Sequence, residues 1–234
     1  AGIAWSFFNP LLMLAVYTFV FSVIFKARWS GLEAGRGGFA IVLFIGVLVH
    51  GIFAECLNRA PTLIMANTNY VKRVMFPLEI LPWVAMGSAL FHAFISLLVL
   101  VVAQVIVLGS IPPTALLLPL ILAPLVLTTM GIAWIFAAFG VYLRDIGQIT
   151  VVITTVALFL SPVFYPVTAL PEQYRGIFLM NPLTFIIEQS REVMIWGRLP
   201  DWQGLAMYIA ASLVVAWAGF WVFQKMRRGF ADVL

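Results

Sequence analysis

The chain has 234 residues, of which 64% are hydrophobic and only 9% are charged. A soluble domain carries about a quarter charged residues, so this chain cannot cover a water-facing surface and is expected to be an integral membrane protein. Its net charge of +4 is small, and in a membrane protein such a balance marks cytoplasmic loops and anionic lipid headgroups rather than nucleic acid.

Six long apolar segments are expected to cross the membrane as helices. A spanning helix needs about 20 mostly apolar residues, and continuous rather than alternating apolar runs are typical of helices. The expected spans cover about residues 5–25, 39–57, 78–108, 114–142, 146–165 and 204–224. We therefore predict one all-α membrane domain over residues 1–234. The chain opens without a methionine, and we expect its natural N-terminal segment to be missing.

The connection between the second and third spans, NTNYVKRVMFPLEILP, concentrates polar residues between two apolar segments. Its interleaved apolar and basic residues predict a short amphipathic helix that Pro77 breaks. Pro77 and Glu79 are then expected in the first turn of the third span, where a carboxylate is favoured by the helix dipole. The residues alone leave two interpretations open, a stiff joint that transmits force and an interfacial helix that lies passively on anionic lipid.

Small residues recur at helical spacing on two of the predicted spans. Ala85, Ala89 and Ala93 follow one another at intervals of four on the third span, and Ala133 and Ala137 do so on the fourth. Such stripes allow two helices to approach closely, so we expect them at contacts between helices.

The segment between the fifth and sixth spans is too polar to cross the membrane and too apolar for a plain loop. Glu172 after Pro171 predicts the start of one short helix. Asn181 and Pro182 form the N-cap and first position of a second helix, which Gly197 is expected to end. We predict two short re-entrant amphipathic helices at the outer face, or a capping hairpin with no functional role.

On the second of these short helices, the apolar and charged residues occupy different faces. Leu183, Ile186 and Ile187 recur at helical spacing and form an apolar stripe. Glu188, Arg191 and Glu192 are expected to lie off that stripe.

The basic cluster KMRR directly follows the sixth span. Basic residues beside a span mark its cytoplasmic end. An even number of spans places both termini on one side, so we predict that both termini and the polar connection are cytoplasmic.

Several kinds of chemistry have no motif in this sequence. It contains no G-x-x-x-x-G-K-[ST] loop, no H-E-x-x-H motif and a single cysteine, Cys56, so we expect no catalytic residue, cofactor or metal on this chain. No span carries a chain of acids or bases near its centre, which argues against a proton- or ion-coupled carrier. A membrane scaffold that does not transport stays open.

Four stretches resemble the permease subunits of ATP-binding cassette (ABC) exporters that secrete lipid-linked polysaccharides such as O-antigen, teichoic acid and capsule. These stretches are, in order, WSFFNPLLMLAVYTFVFSVIF, NTNYVKRVMFPLEILP, GVYLRDIGQI and SPVFYPVTALPEQYRGIFLMNPLTFIIEQSRE. The basic amphipathic helix that precedes the first span in that family does not occur in this sequence.

The resemblance implies a permease of the bacterial inner membrane that is not itself an enzyme. Two copies would pair in the lipid, and two separate ATPase subunits holding ATP and Mg would dock beneath them. The substrate would be a lipid-linked polysaccharide, with O-antigen the first choice. An exporter of a drug or a small lipid is the alternative, because the coupling would be the same.

The resemblance also implies three sets of residues. The coupling set would lie in a cleft of the ATPase: Asn69, Tyr70, Val71, Lys72, Arg73, Phe76, Pro77 and Glu79. The pathway set would stack on sugar rings between the two copies: Trp5, Phe8, Tyr17, Phe159, Phe164 and Tyr165. The outer gate set lies between the fifth and sixth spans: Asn181, Pro182, Glu188 and Arg191.

Overall fold

The computed structural model describes residues 2–20, 35–71, 76–143, 145–169, 171–179 and 181–233. The α-helices are, in chain order, α1 (Gly2–Tyr17), α2 (Gly35–Arg59), α3 (Thr68–Val71), α4 (Ile80–Leu108), α5 (Leu118–Tyr142), α6 (Ile146–Phe159), α7 (Glu172–Leu179), α8 (Pro182–Arg191), α9 (Trp202–Arg227) and α10 (Phe230–Val233). No strand occurs within these ranges, which confirms the prediction of an all-α protein.

Four helical stretches are long and apolar enough to cross a membrane: Gly37–Thr62, Ile80–Leu108, Pro113–Tyr142 and Trp202–Arg227. They coincide with the predicted second, third, fourth and sixth spans. The predicted third span corresponds to α4, which has 29 residues and therefore measures about 44 Å. It exceeds the roughly 30 Å of a bilayer's hydrocarbon core, as predicted for a helix that tilts or projects from the membrane.

The predicted fifth span is shorter as a helix, and the predicted first span is described only in part. α1 continues as a π-helical turn over residues 18–20, and the remainder of the first span lies outside the described residues. α6 has 14 residues, about 21 Å, and ends at Phe159 rather than Tyr165. Pro162 explains the difference, because it lacks an N–H and disfavours helix at Ser161. The expected helix through residue 165 is therefore wrong, and the six-span layout stays a prediction.

The chain divides into two compact units. Unit 1 comprises Ala1–His50, Phe91–Ile121 and Leu158–Asp201. Unit 2 comprises Gly51–Leu90, Leu122–Ala157 and Trp202–Leu234.

The first half of α2 is deeply buried within unit 1. Residues 39–45 are each at most 4% exposed, so this stretch is covered on every side. An α-helix that is apolar all round is stable only when it is surrounded by other apolar groups. This half of α2 is therefore central to the unit.

A π-helical turn, Glu192–Trp196, follows α8 in unit 1 and ends at Gly197, whose φ of +66° is the left-handed conformation that glycine adopts readily. Side chains from elsewhere in the unit bind the carbonyl oxygens of this turn. Gln104 Nε2 donates to Met194 at 2.5 Å, and Thr114 donates to the preceding carbonyl at 2.7 Å. The predicted end of the second outer helix at Gly197 is confirmed.

In unit 2, α5 and α9 approach each other closely because glycines lie at their contact. A Cβ atom at Gly131 would lie 2.5 Å from the carbonyl oxygen of Val215, and one at Gly219 would overlap the carbonyl group of Gly131. Gly140 approaches the backbone of Pro61 in the same way. Small residues at a helix contact let two backbones pack without side chains between them.

Candidate functional site

The polar connection, here residues 67–80, begins with one helical turn. Three members of the predicted coupling set lie in α3 as expected: Asn69, Tyr70 and Val71. The side chains of Tyr70 and Val71, together with all of Lys72 and Arg73, lie outside the described part of the chain.

The end of the connection is a turn rather than a helix. Phe76 and Pro77 belong to no helix, and α4 begins only at Ile80. The predicted helix through Phe76 is therefore wrong, because a residue before proline disfavours the helical conformation. The placement of Pro77 and Glu79 within the first turn of the span is also wrong. A hydrogen bond of 3.1 Å from Ile80 N to the Pro77 carbonyl closes a turn directly before α4.

Glu79 contacts two helices other than the one it precedes. Its Oε2 lies 2.7 Å from Nη1 of Arg227, in the last turn of α9. Its backbone carbonyl accepts a hydrogen bond of 3.1 Å from the indole N–H of Trp134 on α5. Arg227 Nη2 also lies 3.5 Å from the Phe76 carbonyl. The end of the connection is thereby attached to α5 and α9 as well as to α4.

Trp134 is itself held by two aromatic contacts. Its ring meets Trp83 of α4 edge to face at 6.1 Å, and Phe220 of α9 edge to face at 5.2 Å. Edge-to-face pairs at these separations are favourable beyond the area that they bury. The indole that binds the Glu79 carbonyl therefore has a fixed position.

The end of α9 is anchored on α5. Tyr142 Oη donates a hydrogen bond of 3.0 Å to the Met226 carbonyl. Beyond α9, the fully buried ring of Phe230 lies 6.0 Å from the ring of Tyr142 and 5.8 Å from that of Phe223. These contacts fix the backbone that carries Arg227.

Three of the predicted pathway residues lie close together in unit 1. The rings of Phe159 and Phe164 are 6.0 Å apart, and the Tyr165 hydroxyl donates to the Phe159 carbonyl. The Tyr165 ring also meets Phe178 edge to face at 6.0 Å. Phe159 is 61% exposed, so its ring has surface available to a ligand, while Tyr165 is engaged in holding the turn after α6.

The pathway residues predicted on the first span differ in how far their side chains are exposed. The Phe8 ring is 50% exposed and Tyr17 is half-buried, while the side chain of Trp5 lies outside the described residues. Phe8 and Tyr17 are nine positions apart, which at about 100° per residue places them on opposite faces of α1. Only one of the two can face a given lumen.

The predicted cap of the second outer helix is confirmed. Asn181 Oδ1 accepts a hydrogen bond of 2.9 Å from Leu183 N, and Pro182 is the first residue of α8. Asn181 Nδ2 also donates to the Leu160 carbonyl at 3.1 Å, which ties α8 to the turn after α6.

Arg191 is buried, with 2% of its side chain exposed, so its predicted position off the apolar stripe is wrong, because it follows Ile187 by four residues and lies on nearly the same face. Nε donates to the Val42 carbonyl at 3.1 Å, Nη2 donates to the Val163 carbonyl at 3.0 Å, and Nη1 lies 3.0 Å from Glu188 Oε1. Gly46 makes room for the guanidinium, because a Cβ there would lie 3.1 Å from Nη2. These bonds draw the side chain inward and join α8 to α2.

Burial changes the acid–base behaviour of this pair. It lowers the pKa of Arg191 to about 10, although the nearby Glu188 opposes the change. It also raises the pKa of Glu188, against the effect of the arginine. Arg191 therefore remains charged at neutral pH and must keep its acceptors, since an unpaired buried charge is costly.

Sequence reasoning missed the residues that hold the connection in place. Arg227 was interpreted only as part of a basic cluster that sets orientation, and Trp134 and Tyr142 were not singled out. One available signal was that Glu79 is a carboxylate at the edge of an apolar span. Such a group calls for a cationic partner.

Comparison with known proteins gives a consistent set of relatives. The family model that matches is that of the ABC-2 type transporter, over residues 1–195. The chain is 26% identical over 234 residues to the O-antigen export system permease protein RfbA of Myxococcus xanthus, covering 99% of this chain and 87% of that protein. It is 24% identical over 235 residues to the protein of that name from Klebsiella pneumoniae, covering 100% and 87%. It is 23% identical over 228 residues to the polysialic acid transport protein KpsM of Escherichia coli, covering 95% and 85%.

Proposed function

Because this chain belongs to the ABC-2 type transporter family, we propose that it is the membrane subunit of an exporter of lipid-linked polysaccharide, O-antigen in the first instance. The observation that carries the proposal is the likeness over nearly the whole chain to two permeases named for O-antigen export and to a polysialic acid transport protein. The subunit would act in the bacterial inner membrane.

In this proposal two copies of the chain pair, and two ATPase subunits bind and hydrolyse ATP with Mg. The permease supplies the path through the lipid and contributes no catalytic group. The movement enters at the polar connection, whose first turn is α3 and whose end is attached to α4, α5 and α9.

The proposed orientation places the connection and both termini in the cytoplasm. Glu79, which precedes α4, forms an ion pair with Arg227 at the end of α9, so these two helix ends lie on the same side. The basic residues next to Arg227 favour the cytoplasmic side for both.

For the path itself we propose that the exposed ring of Phe159 contacts sugar, because apolar sugar faces pack against aromatic faces. Tyr165 holds the backbone of Phe159 in place through its bond to the Phe159 carbonyl. We propose that α7 and α8 act at the outer exit, with Arg191 holding α8 in place rather than touching substrate.

The first test is assembly and coupling with the ATPase encoded beside this chain. The purified complex, reconstituted in vesicles, should export lipid-linked polysaccharide only when ATP is hydrolysed. Lys72→Glu combined with Arg73→Glu should weaken the complex about tenfold or more, because reversed charges oppose the partner surface. Arg228→Glu, on an exposed residue beyond α9, is the control for a single reversed charge and should leave assembly unchanged.

If the double variant assembles and exports as well as the original chain, the proposed coupling site is wrong. If the complex assembles but moves only drugs or small lipids, the alternative substrate class is correct. For the path, Phe159→Ala should lower polymer export while leaving assembly intact. Phe94→Ala removes a ring of similar exposure, 57%, from α4 and should have no effect on export.

A further inference from the structure

The turn that ends the connection is weak in itself. Between Phe76 and Ile80 the chain is not helical, and the turn before α4 is closed by single backbone hydrogen bonds such as that from Ile80 N to Pro77 O. A typical intramolecular hydrogen bond contributes only about 0.5–1.5 kcal/mol. A push on the connection would therefore be absorbed by bending at this turn unless other contacts supported it.

The Glu79–Arg227 ion pair supplies such support. Its 2.7 Å separation is typical of a charge-assisted hydrogen bond, which is stronger than a neutral one. The second nitrogen of Arg227 approaches the Phe76 carbonyl, so one guanidinium contacts both ends of the turn. Trp134 holds the Glu79 carbonyl from another direction.

The position of Arg227 is in turn fixed by contacts beyond the pair. The Met226 carbonyl accepts hydrogen bonds from Tyr142 Oη at 3.0 Å and from Gly229 N at 3.1 Å. The buried ring of Phe230 then holds the chain that follows α9. A displacement of Glu79 would therefore move the end of α9 rather than only rotate the arginine side chain.

We propose that Arg227 is a positioning residue that transmits movement of the connection into α9, so that the start of α4 and the end of α9 respond together. This inference rests on the proposed function, in which an ATPase moves the connection. In this arrangement the rigidity of the turn at Glu79 comes from Arg227, which is distant in sequence, and not from Pro77.

The test compares polymer export with ATP hydrolysis in the complete complex. The permease and its ATPase are reconstituted in vesicles containing lipid-linked polysaccharide, and both polymer exported and ATP hydrolysed are measured. The variants are Arg227→Glu, Glu79→Arg and the two together. We expect each single reversal to lower the amount exported per ATP by about fivefold or more, the scale of a typical coupling between sites. The exchanged pair restores opposite charges and should recover most of the ratio.

Two further variants serve as controls. Arg228→Glu makes the same change of charge one residue away, on an exposed side chain, and should leave the ratio unchanged. Arg227→Lys keeps the charge but has a single nitrogen, which cannot replace the two guanidinium nitrogens that contact Glu79 and the Phe76 carbonyl. The amount exported per ATP should therefore lie between those of the original complex and the charge reversals.

A purely structural role predicts a different result. It would lower export and ATP hydrolysis in the same proportion, by reducing the number of folded complexes, and that outcome would overturn the inference. If the charge reversals prevent assembly, Arg227→Gln is measured instead, and an unchanged ratio in that variant overturns the inference as well. If the unaltered complex hydrolyses ATP without exporting polymer, the proposed function fails first and the inference falls with it.

Discussion

Replacing Gly219 by alanine should force α5 and α9 apart. The new Cβ would lie 2.6 Å and 2.7 Å from the carbonyl carbon and Cα of Gly131, closer than the 3.0 Å that real Cβ contacts respect. The atoms that it meets are backbone, which cannot rotate away as a side chain can. Overpacking of this kind costs about 3 kcal/mol, and the preference of a helix for alanine over glycine offsets about 0.5–1 kcal/mol.

The net loss of about 2 kcal/mol corresponds to a fall of about 4–8 °C in the unfolding temperature for a chain of this size. The measurement is thermal unfolding of the purified chain in detergent, followed by a probe of helix content. Gly87→Ala is the matched control, because Gly87 lies exposed on α4 and a Cβ there meets nothing within 4 Å. It should unfold at the original temperature or slightly above it.

An unfolding temperature for Gly219→Ala equal to that of Gly87→Ala would refute the reasoning, because it would mean that α5 and α9 do not approach at this point. Gly131→Ala provides an independent check from the opposite helix. Its Cβ would lie 2.5 Å from the Val215 carbonyl oxygen, so it should also lower the unfolding temperature.

Substitutions at three other residues test the remaining contacts by the same thermal assay. Arg191→Met should lower the free energy of unfolding by about 3–5 kcal/mol, because three acceptors lose a buried charged donor, and Arg191→Lys should lower it by less. Equal stability of the original chain and both variants would contradict the buried network. Asn181→Ala should lower the free energy of unfolding by about 1–2 kcal/mol, because it removes both the cap and the bond to Leu160. Asn181→Asp keeps the cap acceptor and should lower it by less, and the reverse order would count against this geometry. Tyr142→Phe should cost about 1 kcal/mol, because it removes the bond to the Met226 carbonyl while the ring remains beside Phe230; no change would show that this hydroxyl is not bonded.

The elements that sequence reasoning predicted correctly are those with a local signal. The long apolar runs gave four helices of membrane length. Asn181 followed by Pro182 specifies a helix start through the backbone of adjacent residues, and Gly197 specifies an end through its own φ. The same local reasoning would have ended α6 before Pro162, had that residue been given the weight that its missing N–H deserves.

The contacts that were not predicted are those between distant parts of the chain. The alanine stripes were chosen by spacing within one helix, and four of their members are at most 2% exposed: Ala85, Ala89, Ala133 and Ala137. A contact of backbone on backbone lies elsewhere, at Gly131 and Gly219, because it depends on where two separate helices cross. Spacing within one helix cannot identify that crossing.

The partners of the charged residues also lie in distant parts of the chain and were not predicted. Arg191 was set apart from the apolar stripe because it is charged, although a residue four positions after Ile187 lies on nearly the same face, where its side chain reaches the carbonyl groups of Val42 and Val163. The pairing of Glu79 with Arg227 likewise joins residues far apart in sequence. The identities of the polar residues were informative, and their partners were set by the fold.

The π-helical turn Glu192–Trp196 has a consequence for how the length of this chain can vary. Such a turn contains one residue more than an ordinary helical turn, so a one-residue deletion there would leave regular α-helix and preserve the direction of the chain. A deletion within α8 would instead rotate everything after it by about 100° and withdraw Arg191 from its acceptors. We therefore expect a one-residue deletion to be tolerated at the end of this helix and not along its body.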